Sequence, residues 1–326
     1  MNMSQIQVLN QLLINKIAAG EVVESPKSVV KELLENAIDA QSDSITVEVR
    51  DGGTTFIRVT DNGCGIPSTQ VEKAFLRHAT SKINKEEDLF QLHTLGFRGE
   101  ALASICAVSI LEIYTKTADE LMGTYCLWEG GSLKKCMPVG TPTGTTMIVK
   151  DLFFNTPARK KFLKSTQTEG NAITSMMEKM ALSNPELMIK YVVQQQTRIQ
   201  TMGNGDLNQS IYEIFGKQSK HSLLPISTTL NEVHISGFVG KPEMARGNRD
   251  TEIFFVNGRY IKSKLLSEAL ELAYQSRLMQ HKFPFCVLSI QLPEQMVDVN
   301  VHPAKMEVRF QEPQQLSSAL KTSVLE

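Results

Sequence analysis

In the segment SPKSVVKELLENAIDA the apolar positions recur at helical spacing behind Ser25, and Pro26 stands where a helix start tolerates proline, so a helix is predicted to about Ala40. Turning 100° per residue, Val30, Leu33, Leu34, Ala37 and Ile38 form one stripe, and Glu32, Glu35, Asn36 and Asp39 lie opposite it as a continuous polar face. The period then changes to two. ITVEV and FIRVT alternate around Asp51-Gly52-Gly53, which predicts two antiparallel strands. Helical pieces follow near 69–77 and 99–106, strands near 109–116, 123–129 and 145–150, a helix at 168–182, and the strand-like LMIKYVVQ.

A polar MGNGD stretch near residue 205 separates this series from a second one. The second reads as a helix at 207–215, strands at 233–239, 252–256, 286–292 and 297–301, a helix at 263–277 and a closing helix near 313–324. The order of elements predicts α+β architecture with helices on one face of a mixed sheet, and two domains, 1–205 and a smaller 206–326.

Composition narrows the functional classes only a little. The 326 residues, 41% hydrophobic and 21% charged, suffice for two cores. Lys plus Arg number 34 against 35 Asp plus Glu, so any nucleic-acid contact must come from local clustering. The start MNMSQIQVLNQLLINK has no basic leader, and no apolar run of about 18 residues occurs, which predicts a soluble, cytoplasmic protein without a membrane role. Cys64, Cys106, Cys126, Cys136 and Cys286 are odd in number and widely spaced, with no CxxC, and are expected to be reduced. The histidines show no HExxH spacing.

The candidate chemistry begins on the polar helix face. Asn36 is a poor mid-helix residue, and one turn from Glu32 it could give a neutral oxygen to Mg²⁺ while the Glu32 carboxylate orients and deprotonates a water. FIRVT runs into Asp61-Asn62-Gly63-Cys64-Gly65, where glycines permit a tight turn close to a flat ligand. Asp61, an acceptor only, could take the exocyclic amine of adenine and reject guanine. Gly96-Phe97-Arg98-Gly99-Glu100-Ala101-Leu102 leads into a helix whose first N–H groups suit phosphate, and His78-Ala79-Thr80-Ser81-Lys82 suits a mobile lid. Each feature alone also reads as an ordinary solvated face, hairpin turn or loop. No GxxxxGK[ST] is present and no GxGxxG follows a strand, so neither a P-loop nor a dinucleotide fold is indicated.

Taken together, KELLENAIDA, DNGCGI, RHATSK, LGFRGEALASI, GTTMIVKDLFFNTPARKKF, FFVNGR and VDVNVHPAKMEVRF resemble the MutL family of DNA mismatch repair proteins, within the superfamily of gyrase B, the heat-shock chaperone ATPases and the histidine kinases. The resemblance implies a two-layer ATPase domain of the gyrase B and histidine kinase type, followed by a smaller α+β transducer domain of the ribosomal-protein-like type. It further implies an ATP pocket in which Glu32 is the general base, Asn36 the Mg²⁺ ligand, Asp61 the adenine reader with Thr145 beside it, and Gly63 and Gly65 the floor. A lid from about His78 to Glu100 would bring Thr80, Ser81, Lys82 and the segment Gly96, Phe97, Arg98, Gly99, Glu100, Ala101 and Leu102 around the phosphates, and Lys305 of NVHPAK would reach the γ-phosphate.

Members of the family dimerise through this region on binding ATP and hold DNA without reading its sequence, single- or double-stranded. Lys160, Lys161, Arg259, Lys262 and Lys264 are the expected DNA contacts, Lys262 and Lys264 on the helix after NGR, although a merely solvated basic surface is an equal alternative. The implied partners are a MutS-like mismatch recognition protein and a downstream repair nuclease or helicase. Hydrolysis is expected to be slow, and no nuclease activity is expected of the chain to Glu326. The competing expectations are an ATP-gated clamp in which hydrolysis is incidental, and a kinase or chaperone of the same superfamily, although no phosphoacceptor-histidine helix is identifiable.

Overall fold

A computed structural model of the chain describes residues 20, 22–80, 99–230, 232–298 and 308–325. The chain divides into two compact units: the first runs to Met177 and takes back Glu186–Gly203, and the second holds Glu178–Pro185 and the chain from Asn204.

The first helix, α1, spans Pro26–Asp39. Ser25 precedes it in an extended conformation but makes no capping hydrogen bond, a contribution of about 1 kcal/mol forgone. Burial of Val29, Val30, Leu33 and Leu34, roughly 1.5–3 kcal/mol each, outweighs that loss, so packing holds this helix. The polar face is not continuous as expected. Glu35 is only 7% exposed, and Lys31, one turn back, places Nζ 2.8 Å from its carboxylate. Ile38, expected in the apolar stripe, is half-buried.

Strands β1 (Ser44–Arg50) and β2 (Phe56–Asp61) pair antiparallel through a turn at Asp51–Gly53. The short helix α2 (Val71–Ala74) and α3 (Ala101–Ala107) follow, then β3 (Ile110–Lys116), β4 (Gly123–Glu129), β5 (Ser132–Val139) and β6 (Gly144–Lys150). Helices α4 (Pro157–Phe162) and α5 (Thr166–Ser183) lead to β7 (Met188–Val193) and β8 (Gln196–Gln200). These strands form one mixed sheet in the order β5-β4-β3-β6-β2-β1-β7-β8, antiparallel except for the β1–β7 pair. Ile45, Val47, Val49, Ile57, Val59, Leu111, Ile113, Met147, Val149, Ile189 and Tyr191, at alternate positions, are buried on one face, where α1 packs on β1 and β2 and α3 on β3 and β4. The sheet is therefore two-layered, with its helices on one side.

Helix α6 (Leu207–Phe215) opens the rest of the second unit, its first turn capped by Asp206, which accepts from the N–H groups of Asn208 and Gln209. Strands β9 (Leu223–Leu230), β10 (Val233–Gly240), β11 (Glu252–Val256), β12 (Arg259–Ile261) and β13 (Cys286–Gln291) form a sheet in the order β12-β11-β13-β10-β9. Helices α7 (Lys264–Tyr274) and α8 (Pro313–Leu325) supply Leu266, Leu270, Leu316 and Leu320 to the core that includes Phe254, Val256 and Leu288. A second core, containing Leu182, Ile211, Met244 and Phe285, takes Ile253, Phe255 and Val287 from alternate positions of the same strands. The central strands are thus covered on both faces, which is why β11 is buried throughout and shows no alternation. A two-stranded piece, β14 (Val297–Asp298) with β15 (Arg309–Phe310), completes the described structure.

Cys126 and Cys136 face each other across β4 and β5 with Cα atoms 4.1 Å apart and are disulfide-bonded, contrary to the expectation of five reduced cysteines. Strand register joins residues ten apart in sequence, a pairing that cysteine spacing alone does not reveal. Cys64, Cys106 and Cys286 are free.

Candidate functional site

The site is assembled where β2 leaves the sheet beside the end of α1. The N–H of Cys64 donates to the carbonyl of Ala40 at 3.0 Å, and Ala40 itself donates to Asn36 O at 3.0 Å, so the DNGCG loop is tied to the turn of helix that begins at Asn36. The Asn62 amide oxygen fixes the loop from the other side, accepting from the N–H groups of Asp43 and Ser44 at 3.0 Å each. Glu32 and Asn36, four residues apart, share a half-buried helix face.

Asp61 closes β2. Its Oδ1 accepts from the N–H of Gly63 at 2.9 Å and from that of Thr145 at 3.2 Å, while Oδ2 has no protein partner among the described residues. Burial pushes the Asp61 carboxyl above the usual aspartate range, against the pull of those two backbone donors. Thr145 lies on β6, buried, with its hydroxyl 3.0 Å from that of Thr115.

Gly65 turns the loop onto the end of β3 with φ at +72°, and a Cβ there would stand 2.2 Å from the carbonyl oxygen of Lys116, so no other residue fits this approach. Past the turn, Ile66 N–H donates to Thr115 Oγ1 at 2.8 Å and Ser68 N–H to Glu120 Oε1 at 2.8 Å. Donors from Ser68 and Thr117 hold the Glu120 carboxyl down at about 2. Neither Thr115 nor Glu120 was foreseeable from the motifs: each acts through a strand or loop remote in sequence, and nothing local marks it.

Thr80 is exposed, and Gly99 and Glu100 are half-buried. His78 Nδ1 lies 3.5 Å from Glu100 Oε1, and a Cβ on Gly99, at φ +61°, would meet the Ala79 carbonyl oxygen at 2.7 Å, so residues 78–79 and 99–100 adjoin. Ala101 and Leu102 open α3 as half-buried residues. Ser81, Lys82, Gly96, Phe97, Arg98 and Lys305 lie outside the described residues.

Of the basic candidates, Lys160 and Lys161 are exposed on α4, followed by Phe162, which is 87% exposed. Arg259 begins β12 and is half-buried. Lys262 is not on the helix after NGR. Arg259–Ile261 is a strand, Ser263 caps α7 by accepting from Leu266 N–H, and Lys262 sits between the two elements, exposed. Lys264 is the first residue of α7 and pairs with Glu268 at 3.5 Å. An exposed pair of this kind is worth at most about 1 kcal/mol, so Lys264 remains available to an anion.

The arrangement can hold a flat, amine-bearing base against Asp61 and offer a carboxylate and an amide oxygen one helical turn apart, from Glu32 and Asn36. Among the described residues no helix is long and apolar enough to cross a membrane, and no three His, Cys, Asp or Glu side chains gather as a metal cage.

Two family models match the chain: "Histidine kinase-, DNA gyrase B-, and HSP90-like ATPase" over residues 23–130, and "DNA mismatch repair protein, C-terminal domain" over residues 211–326. The chain is 55% identical over 308 residues to the DNA mismatch repair protein MutL of Agathobacter rectalis, covering 94% of this chain and 47% of that protein. It is 44% identical over 322 residues to MutL of Shouchella clausii, covering 99% of this chain and 49% of that protein. The chain thus spans about half the length of the curated relatives it matches. Among solved structures, the Aquifex aeolicus MutL ATPase domain complexed with ADP aligns with a TM-score of 0.66 at 30% identity, over 83% of this chain and 93% of that one.

Proposed function

Because the chain belongs to the MutL family of DNA mismatch repair proteins and contains its gyrase B-like ATPase domain, we propose that it is the Mg²⁺-dependent ATPase switch of such a protein. One observation carries this reading furthest. Asp61 has one carboxylate oxygen committed to two backbone N–H groups and the other without a protein partner among the described residues, in a loop tied to the helix that bears Glu32 and Asn36. A fixed acceptor of this kind selects a base with an exocyclic amine.

Glu32 is the general base that takes a proton from the attacking water, and Asn36 contributes a neutral oxygen to the metal. The donor set fits magnesium, which is held mainly by phosphate oxygens and water with one or two protein oxygens, and needs no cage of carboxylates. When bound, the ion would supply positive charge to the phosphate oxygens as the terminal bond breaks. The lid, from about His78 to Glu100, closes over the phosphates, and Lys305 of the second domain senses the γ-phosphate, with the domain boundary near residue 205. Closure drives dimerisation of this region, and the dimer links a MutS-like mismatch recognition protein to downstream repair enzymes. Phosphate release from ATP tests the reading: slow, Mg²⁺-dependent turnover is expected, and a folded chain that binds no adenine nucleotide would overturn it.

DNA is held without sequence readout by exposed Lys160, Lys161, Lys262 and Lys264 together with Arg259. Affinity should fall steeply between low and high salt. Replacing Lys160 and Lys161 together by glutamine should flatten the plot of log affinity against log salt by about 1.4–1.8, the contribution of two phosphate contacts. An unchanged slope in a direct binding titration removes those two lysines from the interface.

A further inference from the structure

Thr115, near the end of β3, has 0% exposure, and its hydroxyl has three neighbours. Ile66 N–H donates to it at 2.8 Å, the Gly144 carbonyl oxygen lies 3.1 Å away, and the Thr145 hydroxyl lies 3.0 Å away. A threonine hydroxyl has one proton and two lone pairs. The Ile66 N–H fills one lone pair, and the Gly144 carbonyl can only accept. The sole arrangement that satisfies all three neighbours sends the Thr115 proton to Gly144 and receives the Thr145 proton in the second lone pair. In the reverse arrangement, Thr115 donating to Thr145, two oxygens without a proton between them would face each other at 3.1 Å in a buried site.

We propose that Thr115 is a specificity-determining positioning residue, which fixes the Thr145 hydroxyl so that it offers only lone pairs to the nucleotide base. Asp61 Oδ1 is already filled by Gly63 and Thr145 N–H groups, and Oδ2 is an acceptor as well. Base recognition at the purine 6 position therefore rests on two oxygens of one polarity, which accept the two protons of a 6-amino group and repel a 6-oxo oxygen. The inference depends on the proposed role of Asp61 as adenine reader. Through Ile66 the same hydroxyl anchors the DNGCG loop, so its loss acts on the position of the base and not on the phosphate end of the site.

The test uses ATP and inosine triphosphate, which differ at the purine 6 position and the adjoining ring nitrogen. The chain should bind ATP in preference to inosine triphosphate. In Thr115→Val the freed Thr145 hydroxyl can donate to a 6-oxo group, and the ratio of the two dissociation constants should fall about tenfold. Thr115→Ser should restore it. Thr115→Ala, which likewise removes the acceptor of the Thr145 proton, should show the same narrowing and serves if the valine variant does not fold. A Thr115→Val protein that binds both nucleotides more weakly by the same factor, with the ratio intact, would mean a structural role alone and would overturn the proposal. An unsubstituted chain that fails to discriminate would instead remove the Asp61 reading, and this inference with it.

Discussion

Glu32→Ala is expected to lower ATP turnover by about 10²–10⁴-fold, the usual contribution of a positioned general base, while nucleotide affinity stays within about twofold. The substitution is at a half-buried position inside α1, where alanine is the best helix former, so the helix should remain. Glu35, three residues on, cannot take over the proton. It is 7% exposed, and its carboxylate is engaged by Lys31 Nζ at 2.8 Å. Phosphate release under saturating nucleotide separates the loss of chemistry from the loss of binding. If affinity collapses and turnover per bound nucleotide does not, Glu32 holds the ligand and is not the base.

Asp61→Asn should have the larger effect on binding, although it removes only one charge. The amide has a single oxygen, and that oxygen must stay where Gly63 N–H and Thr145 N–H already donate, at 2.9 and 3.2 Å. The NH₂ group then replaces Oδ2 and points its protons at the amine of the base. A donor facing a donor in a buried site costs about 1–3 kcal/mol, in addition to the lost acceptor, so a weakening of roughly 100-fold or more is expected. Turning the amide over does not help, because it would set NH₂ against two backbone N–H groups. Calorimetric titration measures this directly, and a variant that binds ATP with unaltered affinity would place the base elsewhere.

Much of the architecture was legible because the apolar period changes sharply. The switch from the helical spacing of α1 to the alternation of β1 and β2 needed no tertiary information, and the turn at Asp51–Gly53 fell where the glycines stand. Strand β5 was not legible, since its middle residues are exposed and it carries no alternation; β4 alone makes it a strand. Strand β12 was missed for a different reason: three residues are too few to show a period, and the following helix signal absorbed Lys262. On the site, DNGCG and the helix motif carried their own local signals. Thr115 and Glu120 did not, because a hydroxyl or carboxylate that anchors a loop about 50 residues away has no neighbour in sequence to betray it. The burial of Glu35 was hidden for another reason: the i,i+4 spacing from Lys31 is visible in sequence, but a helical wheel assigns a glutamate to solvent and does not show which groups pack around it.

The central claim is that Glu32, Asn36 and Asp61 serve one nucleotide, and a crystal structure of the chain with Mg²⁺ and a non-hydrolysable ATP analogue measures it most directly. The expected result is an adenine amine within hydrogen-bond distance of Asp61 Oδ2, the metal on the Asn36 amide oxygen, and a water on the γ-phosphate within reach of the Glu32 carboxylate. A nucleotide bound away from Asp61, or a metal and phosphates on a different face from Glu32 and Asn36, would contradict it.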